Sequence, residues 1–580
     1  MKVLDKLPDA TSGNSAYDIV VIGAGGAGLA AALFAALAGK SVLVVERTPY
    51  VGGTTALSAG TTWVPGTHHA AAVNPTDTLA DAARYLTNAI GERTPASLRQ
   101  AFLDAGPRAI QHIESKSDVQ FRPYAKHPDY ISDLAGSTLN GRALEPLPFD
   151  GRLLGDLFKL IRPPIPEFTV LGGMMVDRTD INHLLGMTKS FASLKHSVKI
   201  VLRHASDRLG HARGTRLVMG NALVARLLYS LSKHSNVSLA LNTSIEGIKR
   251  NHNAVESITL QHNGQLRTVQ VTNGVILASG GFNRHPALRQ TLLPGIDSLW
   301  CPAAPGHTGE AHDVARQIGA HYGKADITHA FWAPVSLRKR ADGSTAAFPH
   351  FVMDRAKPGM LTVDQAGERF VNESTSYHLF GLAMQQTNQR APSIPAYLIC
   401  DAEALRKYGL GMVRPGAKSG GRGLAPFLAD GYLTEGKTLD ELASKLGINA
   451  AGLKASVGKI NTYAQTGVDP DFQRGVTAYQ QNIGDPTSPG KNPNLGALTQ
   501  APYYAVRLYP GDIGASTGLA TNGHAQVLGD NEQPITGLYA VGNDMHSIMG
   551  GVYTAPGITI GPGLVFAYLA VQHAAAANHT

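Results

Sequence analysis

The chain is poor in cysteine and poor in charge. Cys301 and Cys400 are its two cysteines in 580 residues. They stand too far apart to make a metal or redox spacing, and they imply no disulfide framework. Charged residues make up 16% of the chain, below the usual quarter. No P-loop and no Ser-His-Asp signature occurs, so neither phosphate cradling of the Walker type nor serine-type acyl transfer is indicated. No RRM, KH, zinc-finger or helix-turn-helix pattern supports nucleic-acid binding. No internal repeat or low-complexity tract is present. The first sixteen residues are polar and lack an apolar signal core. The apolar run Tyr17 to Leu37 is punctuated by glycine and does not read as a membrane span. A soluble, cytoplasmic protein is expected.

What the chain has is glycine. Its 64 glycines are about 11% of the residues, against a typical ~7%. Without a repeat, that excess means tight turns and close backbone approaches, as in large cofactor-binding α/β enzymes. The length allows two to four domains, and 43% hydrophobic residues supply a sizeable core. The net charge of +8 is partly local. Lys189, Lys195, Lys199, Arg203, Arg208, Arg213 and Arg216 are opposed within their stretch by Asp207 alone. Such a run is ordinarily a solvated helix face. Its functional alternative is peripheral contact with a membrane surface, useful if the substrate is lipophilic.

Asp18 to Ile22 is a short β-branched run, as a buried parallel strand should be. Gly23-Ala-Gly25-Gly26-Ala-Gly28 follows, then an alanine-rich helical stretch to Leu37, then a second strand ending at Glu46. A Gly-x-Gly-x-x-Gly pattern is weak alone. Here it has a strand before it, a helix after it and an acid at the tip of the next strand, which makes it a dinucleotide-binding βαβ unit. Gly23 permits the turn, Gly25 lets a pyrophosphate approach, Gly28 lets helix and strand pack, and Glu46 faces the ribose hydroxyls. A second β-rich block spans Val237 to Ala278, with a turn at Asn263-Gly264, and runs into Ser279-Gly280-Gly281. Residues 282–506 are irregular and read as an inserted domain. Strand and glycine language returns at Gly537 to Gly542, followed by a helical Leu564 to Ala577. The expected architecture is α/β, with a Rossmann-like domain over 1–281 and 507–580 and an inserted α+β substrate domain over 282–506.

The acid is followed by Arg47 and then by Gly52-Gly53-Thr54-Thr55-Ala-Leu-Ser58-Ala-Gly60 and Trp63-Val-Pro-Gly66. This resembles the flavoproteins of the fumarate reductase and 3-ketosteroid dehydrogenase superfamily, as do Ala278-Ser279-Gly280-Gly281-Phe-Asn283 and Leu538-Tyr-Ala-Val-Gly542-Asn543. The resemblance covers nearly the whole chain and implies FAD, held by these segments. Within the superfamily the chain resembles the 3-ketosteroid Δ1-dehydrogenases at four further segments. These are Met549-Gly-x-x-Tyr553-x-x-Pro556-Gly557-Ile558-Thr559, Asn372-Glu-Ser374-x-x-Tyr377-x-x-Phe380-Gly381, Pro128-Asp-Tyr130 with Gly141-Arg142 and Phe149 to Arg152, and Arg213 to Asn221.

The family's chemistry, carried over, assigns Tyr553 and the Gly557 amide to the ketone oxygen. It assigns Tyr377, as tyrosinate, to the α-proton, and Tyr130 to relaying the proton of Tyr377. A hydride then passes from the β-carbon to flavin N5. The logic stands on its own chemistry. A saturated C–C bond is hard to oxidise, but a ketone makes its α-hydrogen acidic. Two donors on the ketone oxygen stabilise the enolate, and losing one costs ~10²–10³ in rate. A positioned base adds ~10²–10⁴. A tyrosinate at neutral pH needs a hydroxyl partner or a positive field, because tyrosine's reference pKa is ~10. The implied partners are a small lipophilic cyclic ketone or steroid and an unidentified electron acceptor. Gly551-Val552 and Thr554-Ala555 depart from the family's common form, and substrate preference is expected to differ there. The alternatives are a Δ4-dehydrogenase or a cyclohexanone-type dehydrogenase, a fumarate- or urocanate-type reductase, and a non-catalytic flavin-binding scaffold. His68-His69, and His307 with His312, are tempting ligand pairs. Adjacent histidines ordinarily point different ways, so no metal site is expected.

Overall fold

The computed structural model describes residues 1–7, 16–252, 254–352 and 354–577. Residues 8–15 of the polar amino-terminal stretch lie outside it. The chain first lays down β1 (Lys2–Val3), β2 (Ala16–Ile22), β3 (Val42–Val45), β4 (Val237–Ala240), β5 (Thr243–Asn251), β6 (Ala254–His262) and β7 (Gln265–Leu277). It then forms β8 (Ala330–Lys339), β9 (Thr345–Pro349), β10 (Met360–Val363), β11 (Ala396–Asp401), β12 (Thr434–Gly436) and β13 (Tyr503–Ala515). It closes with β14 (Gln526–Leu528) and β15 (Pro534–Ala540). The helices that matter for the site are α1 (Gly26–Leu37), α2 (His68–Val73), α3 (Ala96–Lys116), α4 (Arg178–Leu185), α5 (Phe191–Asp207), α6 (Met219–Ser232), α7 (Tyr377–Asn388) and α8 (Ile560–Ala576).

Two sheets organise the molecule. The first runs β1-β4-β3-β2-β7-β6-β15-β14, with β5 on β6. Its β1, β4, β3, β2 and β7 pair in parallel, as expected of β-branched strands buried on both faces. The long strand β7 changes partners along its length. Its first half is antiparallel to β6 across the Asn263-Gly264 turn, where both φ angles are positive, as the right-handed twist of a hairpin demands. Past Gly274 it lies between β2 and β15. The second sheet, β9-β8-β13-β11-β10 with β12 on β13, is antiparallel.

All of β13 pairs with strands that lie between residues 282 and 506, so the second sheet runs on to Ala515. β13 is a thirteen-residue strand running through both halves of that sheet. Helices α1, α6 and α8 cover the first sheet. Buried alanines dominate α1 and let α8 lie close against it. That packing brings the glycine turn after β2, Gly542 after β15 and the start of α8 to one place.

Candidate active site

The glycines after β2 have separate duties. A Cβ on Gly28 would lie 1.9 Å from the Gly23 carbonyl oxygen, and one on Gly23 would lie 2.3 Å from the Ala278 carbonyl oxygen. Both are packing glycines. A Cβ on Gly25 would meet nothing within 4 Å, so this residue faces open space at the amino end of α1, where free N–H groups and the helix dipole favour phosphate. Glu46 accepts from the Ala24 N–H at 3.0 Å and from the Thr48 N–H and hydroxyl at 3.0 and 2.8 Å. It braces the glycine turn, and a carboxylate with about four acceptor positions keeps one for a ribose. Arg47 pairs with Glu310 at the surface.

The next segment folds back over this turn. The Thr55 hydroxyl accepts from Gly26 N–H at 3.3 Å, and a Cβ on Gly53 would lie 3.3 Å from the Gly25 Cα. Thr54 Oγ1 meets His307 Nε2 at 3.2 Å. Ser58 accepts from Gly60 N–H at 3.0 Å, and Gly60 packs on Gly220 of α6. Asn221, held by Arg213 at 3.0 Å, donates to the Ala56 carbonyl at 2.7 Å and ties α6 to this segment.

Ser279 and Gly281 converge on a residue not singled out in the sequence. Asp544 accepts from the Ser279 hydroxyl at 2.9 Å, the Gly281 N–H at 2.8 Å and His312 Nε2 at 3.0 Å. Burial works to raise its carboxyl, but His312 and Ser279 outweigh this and hold it below the ordinary range. Its only signal was its place beside Gly542-Asn543. Gly280 lies against the ring of His307, which burial pushes down to about 4. A small cavity opens beside these turns, lined among others by Phe331, Gly542, Asn543, His546, Ile558 and Pro562. The buried Nδ1 atoms of His307 and His546 have no partner among the described residues. Open backbone at Gly25, unpaired ring nitrogens and an apolar cavity fit a bound dinucleotide.

Beyond Phe331, which lines that cavity, the three singled-out tyrosines come together from three distant segments. Tyr130 donates to the Tyr377 hydroxyl at 3.0 Å. The Tyr377 and Tyr553 rings lie 5.1 Å apart edge to face, and Tyr130 stacks on Tyr553 at 5.7 Å. Phe331 sits against Tyr553, Phe351 against Tyr377 and Tyr479 against Tyr130. Gly557 has φ +89, and a Cβ there would lie 2.4 Å from the Thr61 carbonyl oxygen. Among the described residues no backbone acceptor takes its N–H.

Each tyrosine is placed by backbone. Tyr377 opens α7, capped by the Ser376 hydroxyl, which accepts from Leu379 N–H at 3.3 Å. Glu373 just before it is buried between Arg369 and Arg474, at 2.8 and 3.1 Å. The Tyr130 N–H and the Tyr85 hydroxyl both donate to the Thr554 carbonyl, which locks the 127–142 loop to the residue after Tyr553. Thr554 and Ala555 are buried, so they act on the site through this backbone. Asp129 braces the same loop, accepting from Trp63 Nε1 at 2.9 Å and Arg142 at 2.8 Å. His378 accepts from the Trp332 N–H at 3.2 Å, so its other nitrogen donates to the Gly551 carbonyl at 3.0 Å. The segment Phe149 to Arg152 lies apart from the cluster, where Asp150 pairs with Arg152 and Arg203.

Burial works against the expected tyrosinate. Burial, then the neighbouring phenols, push Tyr130 and Tyr377 well above the ordinary tyrosine value. Tyr553 is raised by burial. A dry pocket holding three phenols favours their protonated forms. The opposing influence is Arg355, which the sequence did not single out. It is fully buried and donates to the carbonyls of His350, Phe351, Glu373 and Thr375. Its field favours ionisation of Tyr130 and Tyr479.

Comparison with known proteins agrees with this geometry. A family profile described as FAD binding domain matches residues 18–560. The 4-oxocyclohex-2-ene-1-carboxylate 5-dehydrogenase of Sinomonas cyclohexanicum is 36% identical over 558 residues, covering 96% of this chain and 93% of that protein. The 3-oxosteroid 1-dehydrogenase of Mycolicibacterium smegmatis is 33% identical over 573 residues, covering 97% of each. A crystal structure of 3-ketosteroid delta1-dehydrogenase from Sterolibacterium denitrificans in complex with 1,4-androstadiene-3,17-dione superposes with a TM-score of 0.89 at 32% identity, over 97% of this chain and all of that one. The likeness runs over nearly the full length, and this chain belongs to the FAD-binding family that includes the 3-ketosteroid Δ1-dehydrogenases.

Proposed function

We propose that this protein is an FAD-dependent dehydrogenase that introduces a C=C bond beside the carbonyl of an uncharged cyclic ketone, a 3-ketosteroid at its 1,2-position. The observation that carries this reading is the buried cluster of Tyr130, Tyr377 and Tyr553 next to the free Gly557 N–H. Tyr553 and Gly557 donate to the ketone oxygen and acidify the α-carbon. Tyr377 takes the α-hydrogen as a proton, and Tyr130 steadies the charge through its 3.0 Å hydrogen bond. The β-hydrogen leaves with its electron pair, and the new π bond forms between the two carbons. FAD, when bound, supplies the two-electron acceptor for that hydrogen. Gly23, Gly25, Gly26 and Gly28 with Glu46 and Arg47 hold its dinucleotide part. Gly53 to Gly60, Ser279, Gly280, Gly542, Asn543 and Ile558 surround the rest. The cofactor segments lie in residues 1–281 and in the chain after Ala515, while the reacting groups come from both parts, Tyr377 from the insertion and Tyr130, Tyr553 and Gly557 from the rest.

An uncharged substrate follows from the lining. The neighbours of the three phenols are aromatic, and four of the five N–H donors of Arg355 beside them go to carbonyls. That leaves no bidentate fork for a ring carboxylate. The similarity to an oxocyclohexene-carboxylate dehydrogenase makes that substrate the natural competitor. Anaerobic mixing decides between them. Androst-4-ene-3,17-dione is expected to bleach the flavin and give the 1,4-diene, whereas 4-oxocyclohexanecarboxylate and fumarate leave the oxidised band in place. Bleaching by the carboxylate and not by the steroid sinks the steroid assignment.

The basic stretch gains a second support for membrane contact. On α5 the side chains of Phe191, Leu194, Val198 and Leu202 recur at helical spacing and are exposed, Phe191 at 81%. Leu185, Met187 and Leu209 flank the helix and are exposed too, Leu209 at 90%. Exposed Lys189, Lys195, Lys199 and Arg208 border this ridge. An apolar ridge beside lysines is complementary to an anionic bilayer surface. Among the described residues no helix is long and apolar enough to cross a membrane. Flotation with anionic vesicles is expected to carry the protein upward and to fail for the Phe191→Asp/Leu202→Asp double variant. No flotation of the unaltered protein refutes the contact.

A further inference from the structure

The expectation that His68 and His69 point apart fails. Their rings lie 4.0 Å apart, and both face Glu114 in the last turns of α3. The cause is local. Thr67 is extended and α2 begins at His68, so both histidines sit in the first turn. There both rings reach the one Glu114 carboxylate.

We propose that His68, His69 and Glu114 form a binding site for a divalent transition-metal ion of the zinc class. His68 Nε2 lies 3.2 Å from Glu114 Oε2, and His69 Nε2 lies 2.9 Å from Oε2 and 3.0 Å from Oε1. Ligands bonded to one ion at about 2.0–2.2 Å, at angles between square and tetrahedral, stand roughly 3.0–3.5 Å from one another. The two histidine–glutamate edges are close to that spacing and all the donor atoms lie within 4.8 Å of one another, so a movement of the rings admits the ion. Two imidazoles and a carboxylate are the donor set such ions prefer, and calcium or magnesium would want more oxygen. Glu114 also accepts from the Phe121 N–H at 2.8 Å, which fixes its carboxylate as an outer hydrogen bond does for a metal ligand. Among the described residues no lysine or arginine pairs with Glu114. The His68 side chain is 51% exposed, so the open coordination positions face water.

The site is placed to brace and not to react. The carboxyl end of α2 holds the loop that carries Tyr130. Asn74 donates to Thr138 Oγ1 at 2.7 Å, Asn140 donates to the Val73 carbonyl at 3.3 Å, and Asp129 N–H donates to the Thr138 carbonyl at 2.9 Å. An ion joining α2 to α3 stiffens the base of that loop.

The test uses untagged, flavin-loaded protein freed of metal by a chelator and dialysed. Titration with Zn²⁺ is expected to show one saturable site and a rise in melting temperature, since an ion that binds only the folded state stabilises it. Co²⁺ should give the visible bands of a nitrogen- and oxygen-ligated ion. His69→Ala and Glu114→Gln are each expected to weaken binding at least about tenfold, with the flavin spectrum unchanged as proof of folding. Lys116→Ala, nearby and outside the donor set, should bind as the parent does. Absence of one-to-one binding at sub-millimolar metal overturns the proposal, as does binding that survives both ligand substitutions.

Discussion

The glycine cradle and the tyrosine cluster are built in opposite ways. The cradle is made of backbone from a contiguous stretch, Gly23 to Gly60, closed by two short turns at Ser279 and Gly542. The cluster is made of side-chain hydroxyls from three segments, and Tyr130 and Tyr377 alone are 247 residues apart. Backbone cradles fail when a side chain is added, because there is no room for it. Hydroxyl clusters fail when a single oxygen is removed, while the surrounding packing survives. The two regions should therefore break differently.

The largest effect is expected in the cradle. Gly28→Val places side-chain atoms where even a Cβ would stand 1.9 Å from the Gly23 oxygen. Colourless protein, or no folded protein, is the expected result, read from the flavin absorbance of the purified chain. A yellow, active Gly28→Val would mean that this close approach is not needed.

Next comes Tyr377→Phe, expected to lower turnover by ~10²–10⁴ with flavin still bound. The parent enzyme carries its own control. A base that burial has raised must lose its proton to act, so the rate should climb as pH rises above neutrality and fall away below it. A flat profile across that range removes Tyr377 from the proton step. Tyr553→Phe should cost ~10²–10³, the loss of one of two donors on the ketone oxygen, with the Gly557 N–H remaining. Equal losses of binding and turnover would show instead that Tyr553 serves packing alone.

The smallest effect concerns stability, and it spans both regions. Burial pushes His307 and His546 beside the cavity, and His127 and His378 beside the tyrosines, each down to about 4. An unfolded histidine titrates near ~6.5, so the unfolded chain binds more protons between that value and about 4. Stability should be complete above this window and decline as pH falls through it. Asp129, pushed up to about 6 by burial, works in the opposite sense in the same window, one group against four. Melting temperature measured across mildly acidic pH should therefore drop, and a constant value would show that these rings are reached by water.

How much was legible follows the same division. Gly23, Gly25 and Gly28 announced themselves because their spacing sits between a strand and a helix, and a strand, a turn and a helix are local objects. Tyr130, Tyr377 and Tyr553 were found through resemblance, since nothing in composition or spacing distinguishes them from the chain's other tyrosines. Asp544, Arg355, Tyr479 and the convergence of His68 with His69 were not visible at all. Each acts on groups from elsewhere in the chain or depends on where a helix end happens to point. That β13 belongs to the second sheet was hidden for a related reason, because its partners are far away in sequence.

The sequence by itself determined the βαβ unit, the glycine turns and the identity of the oxygen-bearing side chains, because backbone conformation and hydrogen-bonding capacity are properties of residues and their near neighbours. Only the tertiary structure decided that three phenols share one dry pocket, that this pocket holds their protons and that a buried guanidinium opposes it. Proximity and burial set ionisation, and both are made by the whole fold.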